Sequence, residues 1–164
     1  MMVQDKIIRL ELGKEAPEFQ AQSTSGPVWL KELAGTWVVL FSYVKDATSI
    51  CTTQCVSFAE HQDVFKALGV RLLGLSVDSL ESHRNWLAKL EKDLGTKLDF
   101  PLIADVDKNV ARLYGLLDEE RGTTVRGVFI IDPKSKLKFV AYYPARIAPN
   151  VEEVLRVLRE LKKI

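Results

Sequence analysis

Apolar residues follow two rhythms along this chain. Trp37-Val38-Val39-Leu40-Phe41-Ser42-Tyr43 is a nearly continuous apolar run, rich in β-branched and aromatic residues, and predicts a central buried strand. Thr52 to Leu68 instead spaces Cys55, Phe58, Ala59, Val64, Phe65 and Leu68 nearer to a 3.6 period, which predicts a helix stopped by Gly69. The alternation continues with a strand from Val70 to Val77 and a helix from Ser79 to Leu94, with Gly95 beyond its end. A short strand from Phe100 to Ala104 follows, then a helix from Asp107 to Tyr114, begun by an acidic cap and closed by Gly115. Ahead of all this, Gly13 and Pro17 mark an irregular entry. Phe19 to Gln22 and Pro27 to Leu30 read as short strands, and Lys31 to Gly35 as a turn or a single helical turn.

The last third changes rhythm. Arg126 to Ile131 and Lys138 to Tyr143 read as two strands joined by the hairpin loop Asp132 to Lys136. Asn150 caps a closing helix whose apolar face is Val151, Val154, Leu155, Val157, Leu158 and Leu161. Strand–helix repeats followed by a hairpin and a helix imply an α/β fold, with a central mixed sheet flanked by helices on both faces. The order resembles a thioredoxin-like fold. No repeat, low-complexity tract or linker interrupts it, so residues 1–164 read as one domain.

Composition narrows the function classes. Hydrophobic residues make up 47% and charged residues 27%, an ordinary globular profile. The 23 basic and 22 acidic residues are spread along the chain, with no basic block suited to nucleic acid or a membrane surface. The apolar runs are far shorter than the ~20 residues of a membrane span. Met1 to Lys6 carries an acid early and lacks the apolar stretch and small-residue cleavage site of a secretory signal, so the expected location is cytoplasmic. Thiols stay reduced there, and two cysteines are more readily catalytic, redox-active or inert than a structural staple.

Both cysteines lie in Asp46-Ala47-Thr48-Ser49-Ile50-Cys51-Thr52-Thr53-Gln54-Cys55, between the buried strand and the helix that follows it. A helix beginning near Ser49 to Thr52 would present Cys51 to backbone N–H groups without intrahelical partners, which favour the nucleophilic thiolate. Thr48, three residues earlier, could bond that thiolate or an oxygen of an incoming substrate. The bland reading of each cysteine is a small buried residue.

The loop Thr48-Ser49-Ile50-Cys51-Thr52-Thr53 resembles the active-site loop of the peroxiredoxins, whose pattern is Pro-x-x-x-Thr-x-x-Cys. The similarity extends nearly end to end. It includes Gly13 to Phe19, then Leu75-Ser76-Val77-Asp78-Ser79 with Ser82, His83 and Trp86, and then Arg126 to Pro133. Tyr143-Pro144-Ala145 and the last helix resemble the one-cysteine branch, although the chain stops at Ile164, where that branch is expected to continue into a further C-terminal domain. The resemblance implies a thiol-dependent peroxidase of hydrogen peroxide or alkyl hydroperoxides, with no cofactor and no metal. Cys51 would form the sulfenic acid, Thr48 would bond the peroxide, and Arg126 would keep the sulfur ionised and stabilise the transition state. Read without the motif, Arg126 is an arginine opening an apolar strand, more often a surface residue.

The chain departs from the pattern inside the loop. Val44 stands where the family has proline, Gln54 where it commonly has glutamate, and Ala47 and Ser49 replace a common aromatic and a common proline. A degenerate relative without peroxidase activity, a redox sensor or binding module, is therefore one alternative. A second is a copper chaperone built on Cys-x-x-x-Cys, although no histidine follows His83 to complete the ligand set. His61 and His83 both fall within predicted helices, as packed or surface residues, and Asp105 and Asp107 read as caps rather than metal ligands. Tyr43 reads as a buried strand tyrosine beside the loop, and Glu119 to Gly122 as a solvated loop.

Recycling of the sulfenic acid has two routes. Cys55 is the only internal resolving candidate. On an intact helix its Cβ would lie ~5–6 Å from that of Cys51, whereas a disulfide needs roughly 3.5–4.5 Å, so the first turn would have to loosen. The other route is an external thiol such as thioredoxin, glutaredoxin or a small thiol. The strand from Lys138 to Tyr143 is a candidate sheet edge, which invites pairing into a homodimer.

Overall fold

The run from Trp37 becomes β3 (Trp37–Ser42), and every residue in it after Trp37 is buried. The structure is a computed structural model and describes residues 10–163; the reading of Met1 to Lys6 lies outside them. Before β3 come the hairpin β1 (Gln20–Ser23) and β2 (Gly26–Trp29) and a 3₁₀ turn, Leu30–Leu33. After it follow α1 (Ser49–Glu60), α2 (Gln62–Ala67), β4 (Val70–Ser76), α3 (Leu80–Leu94), β5 (Leu102–Ala104) and α4 (Asn109–Leu113). A small hairpin, β6 (Leu117–Asp118) and β7 (Thr123–Thr124), leads to β8 (Arg126–Ile131), β9 (Leu137–Tyr143) and α5 (Val151–Lys162).

Seven strands form one mixed sheet in the order β2-β1-β5-β4-β3-β8-β9. β4 runs parallel to both β3 and β5, while β8 runs antiparallel to β3 and to β9. The period-2 pleat divides the apolar run of β3 between two cores. Val39, Phe41 and Tyr43 face α1, α2, α3 and α5 in a cluster with Phe58, Phe65, Trp86, Val128 and Leu158. Val38 and Leu40 join Phe19, Ile103, Val110, Tyr114 and Phe129 on the other face. Phe41 and Phe58 stack with centroids 4.0 Å apart, which clamps α1 to the middle of the sheet.

The expected helix from Thr52 to Leu68 is two helices. His61 leaves helical geometry at φ −106° and ψ 3°, and its N–H bonds to Phe58. Its ring Nδ1 lies 2.8 Å from the Ser57 carbonyl, the acceptor that an unbroken helix would have paired with the His61 N–H. Gln62 then bonds Lys97 O and Asp99 N through its amide, which fixes α2 at a new angle with Phe65 in the core. The cap of α4 also differs from expectation. Asp105 accepts from Val110 N and Ala111 N at 3.0 and 2.8 Å, whereas Asp107 reaches only Asn109 N. The hairpin of β6 and β7 had no period-2 signal because each strand is two residues long; Glu119 to Arg121 form its exposed turn. No described helix is long and apolar enough to cross a membrane.

Gly74 lies where β4 passes between Phe41 and Leu102. A Cβ there would sit 2.6 Å from Leu102 Cδ2 and 3.1 Å from Phe41 Cζ. Gly74→Ala should therefore destabilise the fold by about 1–3 kcal/mol through overpacking, read as a lowered midpoint in denaturant titration. An unchanged midpoint would show that the contact between β4 and β5 yields freely.

Candidate active site

Three chain segments meet at one end of the sheet. β3 ends at Ser42, the loop Tyr43 to Thr48 follows, and α1 starts at Ser49. Thr48 is the residue that caps this helix, in extended geometry, with its hydroxyl accepting from Cys51 N at 3.3 Å. The same Oγ1 donates to Lys45 O at 3.4 Å, so both bonds are long, and Thr48 is exposed. Cys51 thus occupies the first turn of α1, where backbone donors and the helix dipole favour an anion. Its residue is 1% exposed, so only a small oxidant reaches it without movement of the loop.

The third segment is β8. Antiparallel pairing sets Ser42 opposite Gly127, which brings Arg126, the first residue of β8, beside the end of β3. The pleat turns Arg126 to the same face as Val128 and Ile130, toward α1. Its guanidinium is 1% exposed, and both Nη1 and Nη2 lie 3.6 Å from Cys51 Sγ. Nη2 also donates to Ala145 O at 2.9 Å, and Nη1 donates to Gln54 Oε1. Arg126 Nε is the one buried side-chain nitrogen or oxygen without a partner among the described residues.

Gln54 fills the position of the usual glutamate and is fully buried. Its Oε1 serves Arg126 while its Nε2 donates to Ser42 O at 3.1 Å, so the amide keeps the acceptor and ties the guanidinium to β3. Val44, in the position of the family's proline, is half-buried against the cluster of Phe41 and Phe58. Cys55 is fully buried in that cluster. Burial, then Cys51 and Asp46, push its thiol well above the ordinary value, and only Arg126 opposes them. Both cysteines are free thiols.

The structure therefore brings Thr48, Cys51 and Arg126 together and adds Gln54 and Ala145 as partners of the arginine. Behind the loop lies a polar cluster that sequence reasoning missed. The Asp46 carboxylate accepts from Tyr43 Oη at 2.7 Å and Ser82 Oγ at 2.7 Å, and it lies 2.7 Å from His83 Nδ1. Asp46 N donates to Asp78 Oδ2 at 2.9 Å, which also accepts from Ser76 Oγ. His83 was legible as a core residue, since it shares the buried face of α3 with Trp86 and Leu90. Its partner was not, because Asp46 lies 37 residues earlier.

Asp46, Asp78 and His83 bring one potential ligand atom each within 4.8 Å of the others. Their atoms are committed to one another and to Tyr43, Ser76, Ser82 and Ile103. Neither thiol joins a histidine in a three-ligand group among the described residues, so the copper-chaperone alternative gains no support.

The AhpC/TSA family model matches residues 12–140. Peroxiredoxin 2 of Thermoplasma acidophilum is 47% identical over 151 residues, which cover 92% of this chain and 76% of that protein. The peroxiredoxin of Thermoplasma volcanium is 46% identical over 151 residues, 92% of this chain and 74% of that one. Among solved structures, a cysteine-to-serine mutant of the peroxiredoxin 6 of Arenicola marina superposes with a TM-score of 0.87 at 34% identity, covering 94% of this chain and 74% of that one. A yeast mitochondrial 1-Cys peroxiredoxin, whose thiol is resolved via glutathione/thioredoxin systems, gives a TM-score of 0.87 at 36% identity, covering 94% and 77%. With a thioredoxin-like mixed sheet and relatives of this identity over most of its length, the chain belongs to the AhpC/TSA family and is a thiol-dependent peroxidase of the peroxiredoxin type.

Proposed function

We propose that Cys51 is the peroxidatic thiol and that an external thiol recycles it. The observation that carries this reading is the double approach of the Arg126 guanidinium to Cys51 Sγ at the capped start of α1. The Cys51 thiolate attacks one oxygen of a hydroperoxide, an S–O bond forms as the O–O bond breaks, and the departing alkoxide or hydroxide takes a proton to leave as alcohol or water. Arg126 faces both the thiolate and the negative charge growing on the leaving oxygen, and its fixed fork serves the two together. Thr48, exposed and held by two long bonds, can rotate its hydroxyl to the same oxygen.

Cys55 is a poor resolving thiol in this arrangement. It is fully buried in the aromatic cluster, its thiol is pushed well above the ordinary value, and it lies on the intact helix α1, four residues beyond Cys51. Thioredoxin, glutaredoxin or a small thiol would instead condense with the sulfenic acid, releasing water and leaving a mixed disulfide for a second thiol to reduce. Such reductants accord with a cytoplasmic setting. β9 lies at the edge of the sheet among the described residues, which supports pairing of a second copy, and residues 1–164 are read as one domain.

Intact-mass analysis after one equivalent of peroxide checks the assignment. One added oxygen is expected in wild type and Cys55→Ser, and none in Cys51→Ser. A loss of about 2 Da in wild type that Cys55→Ser abolishes would make Cys55 the resolving thiol (two hydrogens leave with the disulfide). Arg126→Lys should slow Cys51 oxidation by roughly 100-fold, because a single ammonium nitrogen cannot reproduce the planar two-nitrogen approach to the sulfur. A competition assay against a reference peroxidase reads this rate, and a wild-type value would remove Arg126 from the mechanism.

A further inference from the structure

The loop that delivers Thr48 to the start of α1 contains a residue in an unfavourable conformation. Ala47 has φ +65°, in the left-handed region that L side chains rarely adopt. Such a turn persists only where its neighbours hold it. On its far side Thr48 caps the helix through its hydroxyl. On its near side everything depends on Asp46, gripped by its N–H through Asp78 and by its carboxylate through Tyr43, Ser82 and His83. Those partners come from the end of β3, the segment after β4, and the first turn of α3.

The decisive partner is His83, whose side chain is fully buried. Its Nδ1 faces the Asp46 carboxylate, and its Nε2 lies 3.0 Å from the Ile103 carbonyl. Both partners are acceptors, so the ring satisfies them together only with a proton on each nitrogen. An imidazolium and a carboxylate are thus paired in the interior, and removing either charge would leave the other buried without its partner.

We propose that Asp46 is a positioning residue for the peroxidatic thiol, locked by the His83 imidazolium so that the turn at Ala47 places Thr48 and the first turn of α1 around Cys51. This rests on the reading of Cys51 as the peroxidatic residue. Asp46 touches no substrate; it acts through the loop. A cleft of about 450 Å³, lined by Asp46, Ala47, Ser82 and Trp86 among others, borders the Asp46 side of the pair.

The lock has a pH dependence of definite sign. Burial alone would push His83 down, but the hydrogen bond and charge of Asp46, the Ile103 carbonyl and Asp78 outweigh it and raise the imidazole above its ordinary value. A raised histidine gives full support below its unfolded value and loses it as pH climbs through the folded one. Other ionisable groups face the pair from the elements packed around it. Tyr43 from the end of β3 is pushed well above its ordinary value by burial, and Cys55 of α1 likewise. Asp78, beyond β4, is a carboxylate, and Glu81 and Lys89 of α3 lie on the cleft wall. The alkaline loss of the loop geometry is assigned to His83, whose ring bridges Asp46 and the Ile103 carbonyl.

The test is the rate of Cys51 oxidation by hydrogen peroxide from about pH 6 to about pH 10, spanning the histidine window, in wild type, Asp46→Asn and His83→Asn. Wild type is expected to slow on the alkaline side. His83→Asn keeps a donor toward Asp46 at every pH, so its alkaline fall should vanish. Asp46→Asn should react about tenfold more slowly throughout, from misplacement of the loop. Nitrogen NMR of the wild-type imidazole should show both His83 nitrogens protonated at neutral pH and titrating in step with the rate. An alkaline fall that persists in His83→Asn, a wild-type rate in Asp46→Asn, or a neutral His83 at maximal rate would each overturn the proposal. If either variant does not fold, the wild-type NMR titration decides alone. Oxidation mapping to a residue other than Cys51 would overturn the peroxidatic assignment instead, which separates the two failures.

Discussion

The Arg126 side chain is almost wholly buried, and a buried guanidinium needs acceptors in the right directions. Gln54 Oε1 and Ala145 O take two of its N–H groups, and the sulfur of Cys51 lies against both terminal nitrogens. Neither protein partner is an anion. The Cys51 sulfur is what the two terminal nitrogens are left to face, an arrangement that favours an anion there. The usual glutamate would share that role; the amide of Gln54 holds the guanidinium in place without competing for its charge.

Sheet topology is what allows this pairing. β3 and β4 run parallel, so the loops after both emerge at the same end of the sheet, the usual place for a site in such folds. β8 runs the other way beside β3, and so begins where β3 ends. Tyr43 to Thr48, Ser76 to Asp78 and Arg126 are thereby brought together from distant parts of the chain. Hydrogen bonds then stitch the seam: Ser42 Oγ donates to Val125 O and accepts from Gly127 N, and Thr124 Oγ1 donates to the Tyr43 carbonyl. A thiol on a loop acquires, in this way, the rigidity of the sheet beneath it.

Two polar constructions flank the start of α1 and divide the labour. The arginine side, with Gln54 and Ala145, meets the sulfur directly. The Asp46 and His83 side meets only the loop, and holds a left-handed alanine that would not stay folded alone. Cys55 stands between them as part of the apolar floor, packed with Phe58 and Tyr43 and raised by burial.

Local chemistry made much of this readable from the chain. The apolar run from Trp37, the Asn150 cap, the Gly95 terminus and the amphipathic face of α5 all follow from period and capping, because each depends on neighbours within a few residues. Thr48 and Cys51 were legible for the same reason, three residues apart at a helix start. The break at His61 was not, since it depends on Gln62 reaching Lys97 and Asp99. Arg126 carried no local mark of burial; only the register of β8 on β3 and the approach of Gln54 and Ala145 make it an interior charge. Asp46 and His83, 37 residues apart, have no sequence pattern that joins them. The sequence by itself determined the elements and the placement of a thiol at a helix start, because those are short-range choices of period, cap and turn. Tertiary structure alone decided which charges that thiol and its loop would meet, because a buried ion finds its partners only when distant strands and helices pack.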